Sequence, residues 1–329
     1  MGQTLIRIIG ALRPHHFLVT VLCPPSASRS AHFSLITTMS RPAPPGSSLE
    51  HPANTPAVLL RVFYLAASLL ILAIQLVPAL RRRFLVYGSR TTPTGKSAPS
   101  EEPAQKTALD TLLDDFAAIQ VPHNYFTHFY ITSVISSLFW GLWLRVWTKP
   151  GQLQVVWMLM LLQGVRRLLE SDAYTSKSKS RMWFVHWLLG IAFYLAMNVS
   201  IWIEGAHQGP RHWSTTMLVP AVLTAHVFQH SFHAYLYRLR SEKKGYQLPS
   251  HPIFTNLLCP HYTCEVLIYT FLSFLAAPDG RWVSWTMVCG TIFVASNLGV
   301  TAWGTKEWYA EKFGQDKVGH RKRMVPWIW

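Results

Sequence analysis

Seven stretches of the chain are apolar and carry no Asp, Glu, Lys or Arg: Val62 to Val77, then about residues 124–144, 152–165, 182–203, 213–237, 266–278 and 282–304. A helix that crosses the hydrocarbon core of a bilayer needs roughly 20 apolar residues. Runs of this kind therefore predict spanning helices, with those at 152–165 and 266–278 the short ones. The latter reaches spanning length if Pro260–Glu265 lies inside the same helix. The pattern predicts an all-α, multi-pass transmembrane helical bundle of about seven spans, or six if one short run stays outside.

Composition supports that class. Half of the 329 residues are hydrophobic, only 14% are charged, and 14 are Trp, against about 25% charged in ordinary soluble domains. The net charge of +15 does not point to nucleic acid, because its basic residues sit in short clusters between apolar runs rather than along one soluble face. Threading seven spans alternately places 21 Lys and Arg in the segments 81–123, 166–181, 238–252 and 305–329, and 4 on the other side, Arg145, Lys149, Arg211 and Arg281. Lys and Arg concentrate in cytosolic loops, so the C-terminus is expected in the cytosol.

Residues 1–56 are rich in Pro, Ser and Arg and read as a disordered or non-native N-terminal extension, with Met39 as an alternative start; residues 57–329 form the membrane domain. Residues 86–116 read as a polar linker. Gly95-Lys96-Ser97 resembles the end of a phosphate-binding loop, but Arg90 stands where that loop needs Gly and no strand precedes it. Cys23, Cys259, Cys264 and Cys289 have no metal-ligand spacing. Asn198-Val199-Ser200 is a glycosylation sequon, but it falls inside the fourth span.

Polar residues at the cytosolic ends of the spans are the candidates for chemistry, since burying them in a membrane is costly. His128 and Tyr130 open the second span and offer protons to a carbonyl; they also suit an interfacial aromatic belt. Glu170 and Tyr174 share a helical face, while Arg166 and Arg167 beside them are expected to anchor the helix at the interface. Gln229, His233 and Tyr237 recur every four residues and make a polar stripe, with Arg240 at its mouth to meet an anion. His226 and His230 stand four apart without the Glu of a zinc protease between them, so no metal is expected. His261 and Glu265 lie on one face at the start of the sixth span, and Tyr309, Arg321 and Lys322 offer a ring and cations to a phosphorylated ligand. No Gly-x-Gly-x-x-Gly follows a strand, so a nucleotide would have to bind among helices.

From Val121-Pro122 to Pro326-Trp327-Ile328-Trp329, through Arg166-Arg167-Leu168-Leu169-Glu170, Tyr237-Arg238-Leu239-Arg240, Cys259-Pro260-His261-Tyr262 with Glu265, Trp308-Tyr309 and His320-Arg321-Lys322, the chain resembles the steroid 5-alpha-reductase family, in its polyprenol (polyprenal) reductase branch of fungal type. The resemblance implies a multi-pass enzyme of the endoplasmic reticulum membrane, whose family C-terminal region is about 180–329, using NADPH to reduce an activated C=C bond. The lipid it implies is a long polyprenyl chain, reduced at its alpha-isoprene unit as polyprenal on the route to dolichol and protein N-glycosylation, with no obligate protein partner. A 3-oxo-4-ene steroid or a trans-2-enoyl thioester is the alternative substrate, and a non-catalytic lipid-binding protein the alternative of another class.

By the same resemblance the cofactor positions are Gln229, His233, Arg240, Tyr246, His261, Glu265, Tyr309 and Arg321. The steroid branch has Asn at the positions of Gln229 and His261, Asp at that of His233 and Arg at that of Gln247. His261 also departs from the usual Asn of the polyprenol branch. The steroid branch's catalytic Tyr aligns near Gly164, which cannot serve, so His128, Tyr130, Glu170 and Tyr174 are the catalytic candidates.

Overall fold

Each uncharged run is helical in the computed structural model, which describes residues 55–85, 107–148, 151–174, 180–205, 212–241 and 246–329. In chain order the elements are α1 (Thr55–Leu76), α2 (Pro78–Phe84), α3 (Ala108–Ala118), β1 (Gln120–Pro122), α4 (Phe126–Trp143), α5 (Gln152–Ala173), β2 (Arg181–Trp183), α6 (Phe184–Ser200), α7 (His212–Ser241), α8 (Pro252–Asn256), α9 (Pro260–Leu275), α10 (Trp285–Phe313) and α11 (Gln315–Val318). The seven runs fall on α1, α4, α5, α6, α7, α9 and α10. Two of these, α1 and α10, are long and apolar enough to cross a membrane, and α6 is a shorter apolar helix.

The readings of residues 1–54 and of Gly95–Ser97 lie outside the described residues; Thr55 and Pro56 already belong to α1. One expectation changes. The end of the 86–116 linker is helical, because Thr107 and Asp110 form a reciprocal capping box that opens α3, a device that satisfies two orphan amides of the first turn.

The helices form two layers. In one, α4 packs between α5 and α6; in the other, α9 packs between α7 and α10, and α1 runs along α10. Close approach within the first layer depends on a missing side chain: a Cβ on Gly164 would stand 2.9 Å from Ser133 Oγ. Gly164, near which the steroid branch's catalytic Tyr is expected to align, is a helix contact here. Between the layers, aromatic rings form a core in which Phe193 packs on Phe293 at 5.2 Å and on Tyr269 at 6.0 Å. Tyr64 of α1 joins them at 6.3 Å from Phe193. Asn198 is buried, and its side chain bonds Ser137 and the Tyr194 carbonyl, which leaves the sequon inaccessible.

Two contacts fix the helix ends. Leu258 and Cys259 donate backbone amides to the carbonyls of Lys322 and Arg323 at 2.9 and 2.8 Å, so the basic tail is stitched beside the start of α9. At the opposite end, Glu204 after α6 accepts from the amides of Trp285 and Thr286 at 3.3 and 2.5 Å and pairs with Arg61 of α1 at 3.0 Å. A carboxylate at a helix N-terminus is favoured by the free amides and the helix dipole. Burial opposes ionisation of Glu204, but its bonds to Thr286 and the charge of Arg61 outweigh that and hold its pKa below the ordinary value. A carboxyl with a depressed folded-state pKa adds stability that is complete above its unfolded value and lost as pH falls through the folded one. Glu204→Gln should therefore melt below the wild type in detergent at neutral pH. The gap should begin to narrow as the pH falls past about 4 and close only below the depressed folded-state value; a gap that stays constant down the titration would show that Glu204 is not ionised in the fold.

Candidate functional site

A cavity of about 960 Å³ lies between the two layers. One end of its lining is apolar and aromatic, with Phe193 and Tyr194 of α6 and Phe293 and Val294 of α10. Its other end reaches the last turns of α7 and α10, where Arg240, Tyr246, Gln247, Thr305 and Tyr309 line it. Between the two ends stands a polar wall built from α4, α5, α7 and α9.

Glu170 is the hub of that wall and is 4% exposed. Arg166 Nη1 donates to its Oε1 at 2.6 Å and Arg167 Nη1 to its Oε2 at 2.5 Å. His230 Nδ1 lies 2.8 Å from Oε1 and His233 Nδ1 2.8 Å from Oε2. An ionised carboxylate only accepts, so the His230 imidazole carries its proton on Nδ1, while His233 Nδ1 stands between this carboxylate and Arg167 Nη1, 2.9 Å away. Arg166 continues the network: its Nε donates to His226 Nδ1 at 3.1 Å, and its Nη2 donates to Gln163 Oε1 at 2.7 Å and to Gln229 Oε1. Both glutamine amides then donate to Glu265 of α9, Gln163 at 2.8 Å. Arg167 reaches the other way, and its Nη2 donates to Tyr130 Oη at 2.6 Å.

Two guanidiniums and two carboxylates are thus joined across four helices. Buried ions are tolerated when they are paired and their remaining donors are satisfied. This corrects one expectation: Arg166 and Arg167 do not anchor α5 at an interface but turn inward as the cross-braces of the site. The signal was in the sequence. Gln163, Arg166, Arg167 and Glu170 are spaced by three and four, which puts them on one face; an Arg pair after an apolar run simply has two uses, and only the facing helices decide between them.

Most predicted residues converge. Tyr130, Glu170, Tyr174, Gln229 and His233 line the cavity wall, and Arg240, Tyr246, Glu265 and Tyr309 line it further along. Tyr174 stacks on Tyr237 at 4.8 Å. His261 lies behind the wall with its ring 5.4 Å from that of His233, and its buried Nδ1 has no hydrogen-bond partner among the described residues. Two candidates stand apart. His128 turns aside to pack on Tyr125 at 4.4 Å and Trp187 at 6.1 Å, the aromatic-belt alternative. Arg321 is 8% exposed and donates to the carbonyls of Pro249, Phe254 and Lys317 at 2.8, 3.1 and 3.2 Å, which makes it a brace of the tail.

Sequence reasoning passed over Gln163, Asn297 and Lys312. Asn297 lines the cavity from α10. Lys312 Nζ sits 4.8 Å from the Tyr246 ring and 4.9 Å from that of Trp308, while Arg240 lies 5.2 Å from the same Tyr246 ring. Cations over aromatic faces are held by the ring quadrupole. Here two of them converge on one ring at the mouth, and among the described residues neither has a carboxylate within ion-pair distance.

Residues 180–329 match the family described as 3-oxo-5-alpha-steroid 4-dehydrogenase. The chain is also similar to the polyprenal reductase of Saccharomyces cerevisiae, 27% identical over 242 residues that cover 69% of this chain and 82% of that protein. The polyprenal reductase of Homo sapiens is 24% identical over 335 residues, covering 86% of this chain and 99% of its own. Polyprenal reductase 2 of Oryza sativa subsp. japonica is 25% identical over 360 residues, covering 84% and 98%. Residues 180–329 thus carry the match to the family described as 3-oxo-5-alpha-steroid 4-dehydrogenase, and over most of its length the chain is similar to proteins named polyprenal reductase.

Proposed function

We propose that the protein is a membrane reductase that uses NADPH to saturate the alpha-isoprene double bond of polyprenal, supplying dolichol for protein N-glycosylation. In this reading α1, α4, α5, α6, α7, α9 and α10 are the seven spans. The protein sits in the endoplasmic reticulum membrane with its C-terminus and the cavity mouth in the cytosol, as the bias of Lys and Arg requires. The observation that carries the reading is the cavity itself: an apolar pocket whose wall presents a phenol braced by a buried ion network, and whose mouth presents aromatic rings and cations that have no carboxylate partner among the described residues.

The donor set suits a phosphorylated dinucleotide. Arg240 and Lys312 supply cations, Tyr246 and Tyr309 flat faces, and Gln247 and Asn297 amides, beside the wall groups Gln229, His233 and Glu265. When bound, the reduced nicotinamide supplies the hydride. The protein's own part is acid catalysis. Tyr130 Oη already accepts from Arg167, so its hydroxyl proton is left to donate to the aldehyde oxygen as hydride reaches the beta carbon, giving an enol that tautomerises, with a proton moving to the alpha carbon, to the saturated aldehyde. Arg167 stays on the oxygen that would carry the negative charge after transfer, a fixed electrostatic support of the kind that lowers barriers in water-poor sites. Glu170 holds Arg167 in place. The aldehyde is the suitable substrate because its carbonyl accepts the electrons that hydride addition brings, which an allylic alcohol cannot.

Membranes carrying the protein should convert polyprenal to the saturated aldehyde in the presence of NADPH. A 3-oxo-4-ene steroid and a trans-2-enoyl thioester run beside it should react poorly; turnover of either in place of polyprenal would reassign the substrate, and no turnover of any by folded protein would remove the enzymatic reading. Within it, Lys312 and Arg240 read the phosphate that separates NADPH from NADH. Lys312→Met should raise the KM for NADPH about tenfold, the loss of one charge-assisted contact of about 1.5 kcal/mol, and leave that for NADH unchanged. Equal effects on both cofactors would place Lys312 outside the recognition of that phosphate.

A further inference from the structure

The helix α3 carries an apolar stripe that is largely exposed, with only Phe116 packed at its edge. Leu109 is 63% exposed, Leu112 65%, Phe116 46%, and Ile119 just beyond the helix 53%. Spacings of three and four put them on one face. The opposite face is polar and engaged: Arg83 donates to Asp110 at 2.9 Å and to Asp114 at 2.7 Å. A stripe of this kind on a soluble surface would be an aggregation hazard.

Both ends of α3 are tied to helix ends that mark the edge of the membrane. Arg83 belongs to the basic cluster directly after α1. At the other end the Ile119 carbonyl accepts from the amide of Phe184, the first residue of α6, at 2.9 Å, and β1 pairs with β2 in register Gln120 to Trp183. Phe84, Phe116 and Trp183 close the corner, with ring centroids 4.4 Å apart for Phe84 and Trp183 and 5.3 Å for Phe116 and Trp183. The Trp183 indole donates to the Phe116 carbonyl at 3.1 Å. Aromatic residues in such a position are typical of the boundary between headgroups and acyl chains. Helix α3 therefore lies at the level where α1 ends and α6 begins. On α1, Leu69, Leu72 and Leu76 are exposed as well.

We propose that α3 is an interfacial helix that docks on the lipid surface of the cytosolic leaflet, with Leu109, Leu112, Phe116 and Ile119 sunk among the upper acyl chains. Such helices lie in the plane of the interface with their apolar face buried about 5–10 Å. Since the chain passes from α3 through β1 into His123 and Asn124, which line the cavity, the docked helix holds that wall of the cavity at a fixed depth. The inference rests on the membrane reading above, and the experiment separates the two.

Single cysteines at Leu112, Phe116, Ala118 and Leu69 are introduced into a Cys23→Ser background of the full chain, where the remaining Cys259, Cys264 and Cys289 are buried. They are spin-labelled in vesicles of phosphatidylcholine with phosphatidylserine. Collision rates with oxygen, which partitions into lipid, and with a water-soluble nickel chelate are then compared. Labels at Leu112 and Phe116 should favour oxygen several-fold over the label at Ala118 on the polar side, and approach the label at Leu69 on α1. Two results overturn the proposal while the Leu69 label still reports lipid: a water-like Leu112 label, or one reached by neither reagent and hence covered by protein. A water-like label at Leu69 would remove the membrane reading as well.

Discussion

Tyr130→Phe is expected to reduce kcat for polyprenal by about 10²- to 10⁴-fold, the usual worth of a positioned general acid. Its ring is 7% exposed and packs 5.8 Å from the Tyr194 ring, so the phenyl group should keep the fold. The substitution removes the one atom that Arg167 holds at 2.6 Å. NADPH affinity should be nearly unchanged, because the mouth residues Arg240, Tyr246 and Tyr309 belong to other elements. His128→Ala, which loses only packing against Tyr125 and Trp187, should retain most of kcat. Rates for Tyr130→Phe within a few-fold of the wild type, or a collapse for His128→Ala alone, would move the acid from one residue to the other.

Glu170→Ala should be the most damaging change to stability. It strands two guanidiniums and two imidazoles that now share one carboxylate. Removing one partner of a buried ion network costs about 3–5 kcal/mol, mainly because the remaining charges stay buried without compensation. The thermal midpoint in detergent should fall sharply, and dinucleotide affinity should fall with it, since Arg166 also sets Gln229 and, through Gln163, Glu265. Replacing Arg166, Arg167 and Glu170 together by Met, Met and Leu should recover much of the midpoint without recovering activity. A Glu170→Ala protein as stable as the wild type would show that the network is not ionised as a unit.

The seven helices were legible because a charge-free run of this length has few uses, and the stripe Gln229, His233, Tyr237 was legible because helical spacing alone puts it on one face. The start of α9 was legible for the same reason, with His261 and Glu265 one turn apart behind Pro260. What the spacing could not say is which way each face turns. Arg166 and Arg167 follow an apolar run just as interface anchors do, and they point inward only because Glu170 on the same helix and His226, Gln229 and Tyr130 on neighbouring helices meet them there. Arg321 and His128 show the converse: both have suitable chemistry, but carbonyls from residues 249, 254 and 317 claim the first, and two aromatic rings claim the second.

The sequence by itself determined the class of molecule, its helices and the side of the bundle on which its polar residues gather. These follow from hydropathy, charge and local spacing, which act over one or two turns. Only the tertiary structure decided that α3 exists with a free apolar face, that Lys312 joins Arg240 at one ring, and that Tyr130 rather than His128 meets the buried ion network. Those outcomes depend on contacts between segments dozens to hundreds of residues apart, and no local pattern encodes which of two eligible side chains the opposing helix will meet.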